Sequence, residues 1–266
     1  MGTTSDASGA RTVAEDGAGV TTTTPGATER GPKERRAGDD VLPPGSVIGH
    51  YVVDRLVGRG GGGVVYAARH RVLGRPVAIK VLRADMALHP VRVSRFVLEA
   101  TSVNKIGHPS IVDIHEFGEI TPGRPYYVME LLDGMDMRRF LSVHGRLSPK
   151  EMLRLLEPIF LAVQAAHQAG FVHRDIKASN IVVVESEGGH VTKLVDFGIA
   201  KAFRSDLSGQ GLTEPGEQLG TAHNMAPEQI RGESLDARAD IYAFGVLMYQ
   251  VLTGQYPFDA SDPRQI

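Results

Sequence analysis

Large apolar residues are scarce from residue 1 to about 46 and recur regularly from Ile48 onward. The early stretch is rich in Gly, Ala, Thr and charge, carries four consecutive threonines from Thr21 to Thr24, and closes on Pro43-Pro44-Gly45. So little apolar surface cannot offset the entropy of ordering a chain, so residues 1–46 are expected to be disordered. Beyond them, Tyr51 to Val57, Val64 to Arg69 and Pro76 to Leu82 are short β-branched and aromatic runs parted by Gly or Pro turns, which predicts three strands. Val93, Phe96, Val97, Ala100 and Val103 fall at helical spacing and predict one amphipathic helix. Ile111 to Phe117 and Tyr126 to Leu131 add two strands.

After residue 135 the period turns helical. Ser148-Pro149-Lys150-Glu151 supplies an N-cap, a first-turn proline and a capping-box acid ahead of a long apolar helix ending near Ala169. Short strands follow at Ile181 to Val184 and Lys193 to Val195, then a polar loop from Asp196 to about Glu228, then a last helix over Asp240 to Leu252. The predicted class is α+β and bilobal. A small antiparallel β lobe with one helix covers about 50–130, and a larger, mainly α-helical lobe runs from about 133 to 266.

Composition narrows the chemistry. Lys plus Arg number 29 against 31 for Asp plus Glu, so there is no excess positive charge for nucleic acid. The absence of Cys excludes disulfides, thiolate metal sites and cysteine nucleophiles, and fits a reducing compartment. The N-terminus lacks the basic-then-apolar pattern of a signal peptide. The longest apolar run, Ile241 to Leu252, is shorter than the roughly 20 residues that span a bilayer and contains Gly245 and Gln250. A buried helix is therefore expected there, and no membrane segment within the chain.

Gly58-Arg59-Gly60-Gly61-Gly62-Gly63 satisfies G-x-G-x-x-G. A dinucleotide-binding turn would continue directly into a helix, whereas Val64-Val65-Tyr66 reads as a strand; a Walker loop would need Gly-Lys-Ser/Thr, which is missing. Two readings remain: a strand-turn-strand flap whose bare backbone lies close to phosphates, or an ordinary hairpin tip. Val77-Ala78-Ile79-Lys80 ends in a lysine on the same sheet face as Ala78, and Glu99 shares a helix side with Phe96 and Val103. Each charge is costly to bury alone and tolerable as a pair. The alternative is two ordinary solvated side chains.

His173-Arg174-Asp175-Ile176-Lys177-Ala178-Ser179-Asn180 and Asp196-Phe197-Gly198, in order with the lysine strand and glycine loop, resemble the protein kinase family in its serine/threonine branch, over roughly residues 50–262. The bacterial members look most similar. The resemblance implies ATP with Mg²⁺ (or Mn²⁺) and protein substrates bearing Ser or Thr. It assigns Asp175 to the attacking hydroxyl, Lys177 and Lys80 to phosphate charge, Glu99 to holding Lys80, and Asn180 and Asp196 to the metal. Val57, Gly58, Arg59, Gly60, Gly61, Gly62, Gly63, Val64 and Val65 would form the nucleotide flap. Val65, Ala78 and Val182 would sandwich adenine, Met129, Glu130 and Leu132 would line the lobe-connecting hinge, and Asp136 would lie near the ribose. Val103, Ile114, His173 and Phe197 would stack between the lobes.

By the same resemblance Ser205, Ser208 and Thr213 are expected autophosphorylation sites pairing with Arg174, and Thr221 is expected to bond Asp175 and Lys177. Gly62, Ala222 and Asn224 depart from the family's usual residues, leaving a bare flap tip and an altered substrate shelf. The family continues for about three more helices past Pro257-Phe258. The lobe is therefore expected to be incomplete, with Ile241, Phe244, Val246, Leu247 and Leu252 partly exposed, and the resemblance to bacterial members implies a membrane anchor further downstream. A cytoplasmic location is expected. The rival expectations are a truncated, inactive kinase-like module that binds ATP or acts as a scaffold, and a small-molecule kinase, which the Gly220 to Glu228 segment disfavours.

Overall fold

The computed structural model describes residues 41–60, 62–197 and 223–258. The expectations for Gly61, for residues 1–40 and for the loop with Ser205, Ser208, Thr213, Thr221 and Ala222 lie outside them.

Six antiparallel strands form the first sheet: β1 (Val47–Ile48), β2 (Tyr51–Gly60), β3 (Gly63–His70), β4 (Pro76–Val81), β5 (Ile114–Thr121) and β6 (Arg124–Met129), in the order β1-β2-β3-β4-β6-β5. Strand side chains alternate between faces. On one face Val64, Tyr66, Ile79, Val81 and Val128 pack with Ile48 and Val53 in a core of their own. On the other, Val65, Ala78 and Met129 join a larger core that takes in the helices. Register fixes the second set, since Ala78 pairs with Met129 and Val65 with Lys80. Lys80 therefore stands on the face that looks toward the helical part.

A short helix α1 (Ala84–Ala87) precedes α2 (Pro90–Ile106), which starts with proline in its first turn and ends at left-handed Gly107, φ 57°. Its Phe96, Glu99, Ala100 and Val103 are buried, as the helical spacing requires. Next come β7 (Gly134–Asp136), α3 (Met137–His144), α4 (Pro149–Gln168), a 3-10 turn at Ala178–Asn180, β8 (Ile181–Ser186), β9 (Gly189–Leu194), α5 (Pro227–Ile230) and α6 (Arg238–Thr253). The last three strands form a second antiparallel sheet, β7-β8-β9. The Ser148–Glu151 capping box is present at the start of α4 as predicted.

Three expectations need correction. Residues 41–46 are not disordered: the Leu42 N–H donates to the Tyr66 hydroxyl at 3.0 Å, Gly45 N–H donates to Val53 O at 2.8 Å, and Val41 and Leu42 pack on the outer-face core. The fifth strand spans 114–121 rather than 111–117, because Ser110 O and Val112 N, on either side of Ile111, instead bond to β9 at Leu194. On α6, only Ile241 of the expected exposed set is largely bare, at 60 %. Phe244, Val246 and Leu247 are buried and Leu252 is half-buried. Part of the reason is α4, whose Phe160 ring meets Phe244 edge-on at 5.7 Å.

Candidate active site

Lys80 near the end of β4, Glu99 on α2 and Asp196 just past β9 come from separate parts of the chain and meet at one ammonium. Lys80 Nζ lies 2.8 Å from Glu99 Oε1 and 2.6 Å from Asp196 Oδ1. Lys80 and Glu99 are almost wholly buried, whereas the Asp196 side chain is 50 % exposed. The Tyr127 hydroxyl donates to the same Glu99 oxygen at 3.0 Å. Burial alone would lower the Lys80 pKa, but Asp196 and Glu99 together outweigh it and hold it well above its usual value. Burial pushes the Glu99 carboxyl up, with Lys80 only partly offsetting this, and burial likewise raises Tyr127. The lysine therefore stays cationic, with one shielded carboxylate and one open to solvent.

A second group is built on the 173–180 loop. Lys177 Nζ is 2.9 Å from Asp175 Oδ2, and Asn180 Nδ2 donates to Asp175 O at 2.8 Å and Oδ2 at 3.2 Å. The loop is held from below by Asp240 of α6, a buried carboxylate accepting from His173 N at 2.8 Å and Arg174 N at 2.7 Å, with His167 Nε2 at 2.7 Å. Gln229 Nε2 also donates to Arg174 O at 2.9 Å. Arg174 has φ 67° and Asp196 φ 56°, a left-handed backbone uncommon outside glycine and costing about 1–3 kcal/mol each. Such strain persists only where the surroundings over-determine it, and the Asp240 contacts do so for Arg174.

The two groups are joined. Val195 N–H, next to Asp196, donates to Asn180 O at 2.8 Å, and the Phe197 ring tilts against His173 at 4.6 Å. Val103, Ile114 and Phe197 share the larger core, and His173 is fully buried beside Phe197. Of the expected stack between the lobes, the Phe197–His173 contact is direct, and Val103 and Ile114 belong to the same core as Phe197.

Of the expected nucleotide residues, Val65, Ala78 and Met129 lie on the Lys80 face, and Val182 and Asp136 are paired in register across β8 and β7. Glu130 and Leu132, half-buried, lie in the segment between β6 and β7. Gly62 lies over the lysine, since a Cβ there would sit 3.7 Å from Lys80 Nζ. Gly63 needs its missing side chain, because a Cβ would come within 2.5 Å of Val81 O. Gly58, Arg59 and Gly60 close the hairpin arm opposite. Not all residues converge. Val64 turns its side chain into the outer-face core, leaving only its backbone toward the Lys80 face, and Val57 is exposed beside a register shift in β2. Asp136 uses Oδ1 to cap α3 through Arg139 N at 2.9 Å.

Tyr127, Asp240 and His167 were not singled out from the sequence. A signal for Tyr127 existed, two residues before Met129 and so on the same strand face. Asp240 heads the family-like run Asp240-Ile241-Tyr242-Ala243-Phe244-Gly245, whereas for His167, 73 residues earlier, the sequence holds no signal.

The described residues hold no cluster of three or more His, Cys, Asp and Glu that could bind a metal alone. Asn180 and Asp196 offer two oxygen side chains, the donor type that would suit a hard cation.

The protein kinase domain family matches residues 51–266. Similar relatives include the probable serine/threonine-protein kinase PknB of Corynebacterium glutamicum, 39 % identical over 220 residues, covering 82 % of this chain and 33 % of that protein. PknB of Mycobacterium tuberculosis H37Ra is 39 % identical over 226 residues (84 % and 35 %), and Pkn1 of Myxococcus xanthus 42 % over 212 residues (79 % and 30 %). The chain thus spans about a third of the length of these relatives. Among solved structures, the Mycobacterium tuberculosis PknI kinase domain (C20A_R136A double mutant) aligns with TM-score 0.64 and 28 % identity over 82 % of this chain and 79 % of that one. Its fold and its sequence agree: the chain belongs to the protein kinase family, in the company of bacterial serine/threonine kinases.

Proposed function

We propose that this chain is the catalytic domain of a serine/threonine protein kinase, transferring the γ-phosphoryl group of ATP to Ser or Thr hydroxyls of proteins. The observation that carries this is the Lys80 ammonium bridging Glu99 and Asp196, with the Asp175–Lys177–Asn180 group tied to the Asp196 segment by the Val195 N–H bond to Asn180 O. The domain begins by Val41, with its smaller lobe to about 130 and its larger from about 133. Its partners are ATP and Ser/Thr-bearing proteins in the cytoplasm; no helix of the described residues is long and apolar enough to cross a membrane.

Phosphoryl transfer needs little covalent help, so catalysis is positioning and charge neutralisation. Lys80 directs its ammonium to the α and β phosphates, and Glu99 keeps it there. The flap from Gly58 to Gly63 covers the phosphates with backbone, while Val65, Ala78, Val182 and the hinge at Met129, Glu130 and Leu132 hold adenine. Asp175 accepts a hydrogen bond from the substrate hydroxyl and orients it, and Lys177 neutralises the group in flight. Asn180 and Asp196 would hold Mg²⁺, or Mn²⁺ in its place, which would supply charge compensation for the nucleotide. Loop autophosphorylation at Ser205, Ser208 or Thr213 would add about −1.5 to −2 charge per site for Arg174 to pair with.

Asp175→Asn keeps shape and removes the acceptor charge. Incorporation of phosphate from Mg-ATP into a generic Ser/Thr protein substrate is expected to fall about 10²–10⁴-fold. Equal incorporation by variant and parent defeats the catalytic reading, and nucleotide binding without transfer by the parent leaves a scaffold.

A further inference from the structure

Lys193 on β9 takes no part in the machinery above, yet it makes one of the shortest ion pairs among the described residues, 2.6 Å from Nζ to Glu130 Oε1. Both side chains are only about a quarter exposed, at 23 % and 25 %. That same Glu130 oxygen accepts from Asp113 N at 2.9 Å, and Glu130 N returns a bond to Asp113 O at 3.0 Å. The segment before β5 is in turn laced to β9, with Val112 N donating to Leu194 O at 3.0 Å and Leu194 N to Ser110 O at 2.7 Å.

Register says where Lys193 stands. It pairs with Val182, and Val182 pairs with Asp136, so the three side chains rise from one face of the β7-β8-β9 sheet. Three residues after Lys193 comes Asp196. The Glu130 carboxylate is therefore the point where the end of β6, the start of β5 and the strand leading to Asp196 are held together.

We propose that the Glu130–Lys193 ion pair is a positioning element of the nucleotide site, fixing the hinge backbone against the floor formed by β8 and β9. The claim rests on the kinase reading for its turnover arm only. An exposed ion pair holds little in place, but this one is partly shielded and shares its acceptor with a backbone N–H, so losing either charge frees the hinge from β9. Glu130→Gln keeps an acceptor for Asp113 N and removes only the charge.

The test uses the full chain, Mg²⁺ and a ribose-labelled fluorescent ATP analogue, with steady-state turnover alongside. Lys193→Gln and Glu130→Gln are each expected to weaken analogue binding and raise KM for ATP about five- to tenfold, with kcat changed less than about twofold and the double variant no worse than either single. Lys193→Arg is expected to stay within about twofold of the parent, since it keeps the charge. Unchanged analogue affinity in both Gln variants, even with a lowered Tm, overturns the proposal, as does a fall in kcat at constant KM. Should the parent bind nucleotide but transfer nothing, the kinase reading fails while the binding series still decides this one.

Discussion

At the scale of single residues, the buried ammonium sets the behaviour of the site. Removing it leaves Glu99 buried with the Tyr127 hydroxyl as its remaining bonded donor. Lys80→Met is therefore expected to cost about 1–3 kcal/mol near pH 8, the range for stranding a buried hydrogen-bonding group. Glu99 already has a pKa raised above its ordinary 4.5 by burial, and losing Lys80 removes the offsetting charge. The folded variant then binds a proton that the unfolded chain has released, so its stability falls as pH rises from 4.5 through the raised folded value. Thermal melts of Lys80→Met are expected to show a Tm that drops from pH 5 to pH 8 more steeply than the parent's; parallel slopes would mean that Glu99 stays ionised without its partner.

At the scale of elements, what the sequence reveals is what a local period can encode. The helix at 90–106 is legible because its buried positions repeat every three to four residues, and α4 because its cap, proline and acid stand in one four-residue string. Helix α3 leaves no such signal, since only Met137 and Phe140 in it are buried, too few to show a period. Strand β7 has three residues and exists through its pairing with β8, and β1 has two. The packing of Val41 and Leu42 depends on a tyrosine 24 residues away, which no local pattern announces. Lys80, Glu99, Asp175, Asn180 and Asp196 could be found because their spacing follows a family pattern, whereas Lys193 gains meaning only from strand register. The α4 cap can be tested directly. Ser148→Ala is expected to cost about 1 kcal/mol, read as a lowered denaturant midpoint at unchanged slope. The Ser148 side chain and N–H hold the Glu151 carboxyl below 4.5, so the cap's contribution is present above that pH and lost as pH falls through the lowered value. The variant's deficit should shrink in acid.

At the scale of the whole molecule, two cores share one sheet, and the larger extends from Phe96 on α2 to Val251 on α6. The helices also present bare apolar groups, Leu153 on α4 and Ile241 on α6 among them. Leu153→Lys with Ile241→Lys is expected to leave stability nearly unchanged, within about 0.5 kcal/mol per site, while reducing self-association in light scattering. A large loss of Tm would show that these side chains are packed in solution. One last consequence comes from Lys80 having two carboxylate neighbours, of which only Glu99 rides on a helix. If α2 swings outward, the cation keeps Asp196 as its counter-ion and no lone charge is left in the interior. Moving the helix would thereby cost less than breaking an isolated buried pair, because the ammonium would keep one of its two partners.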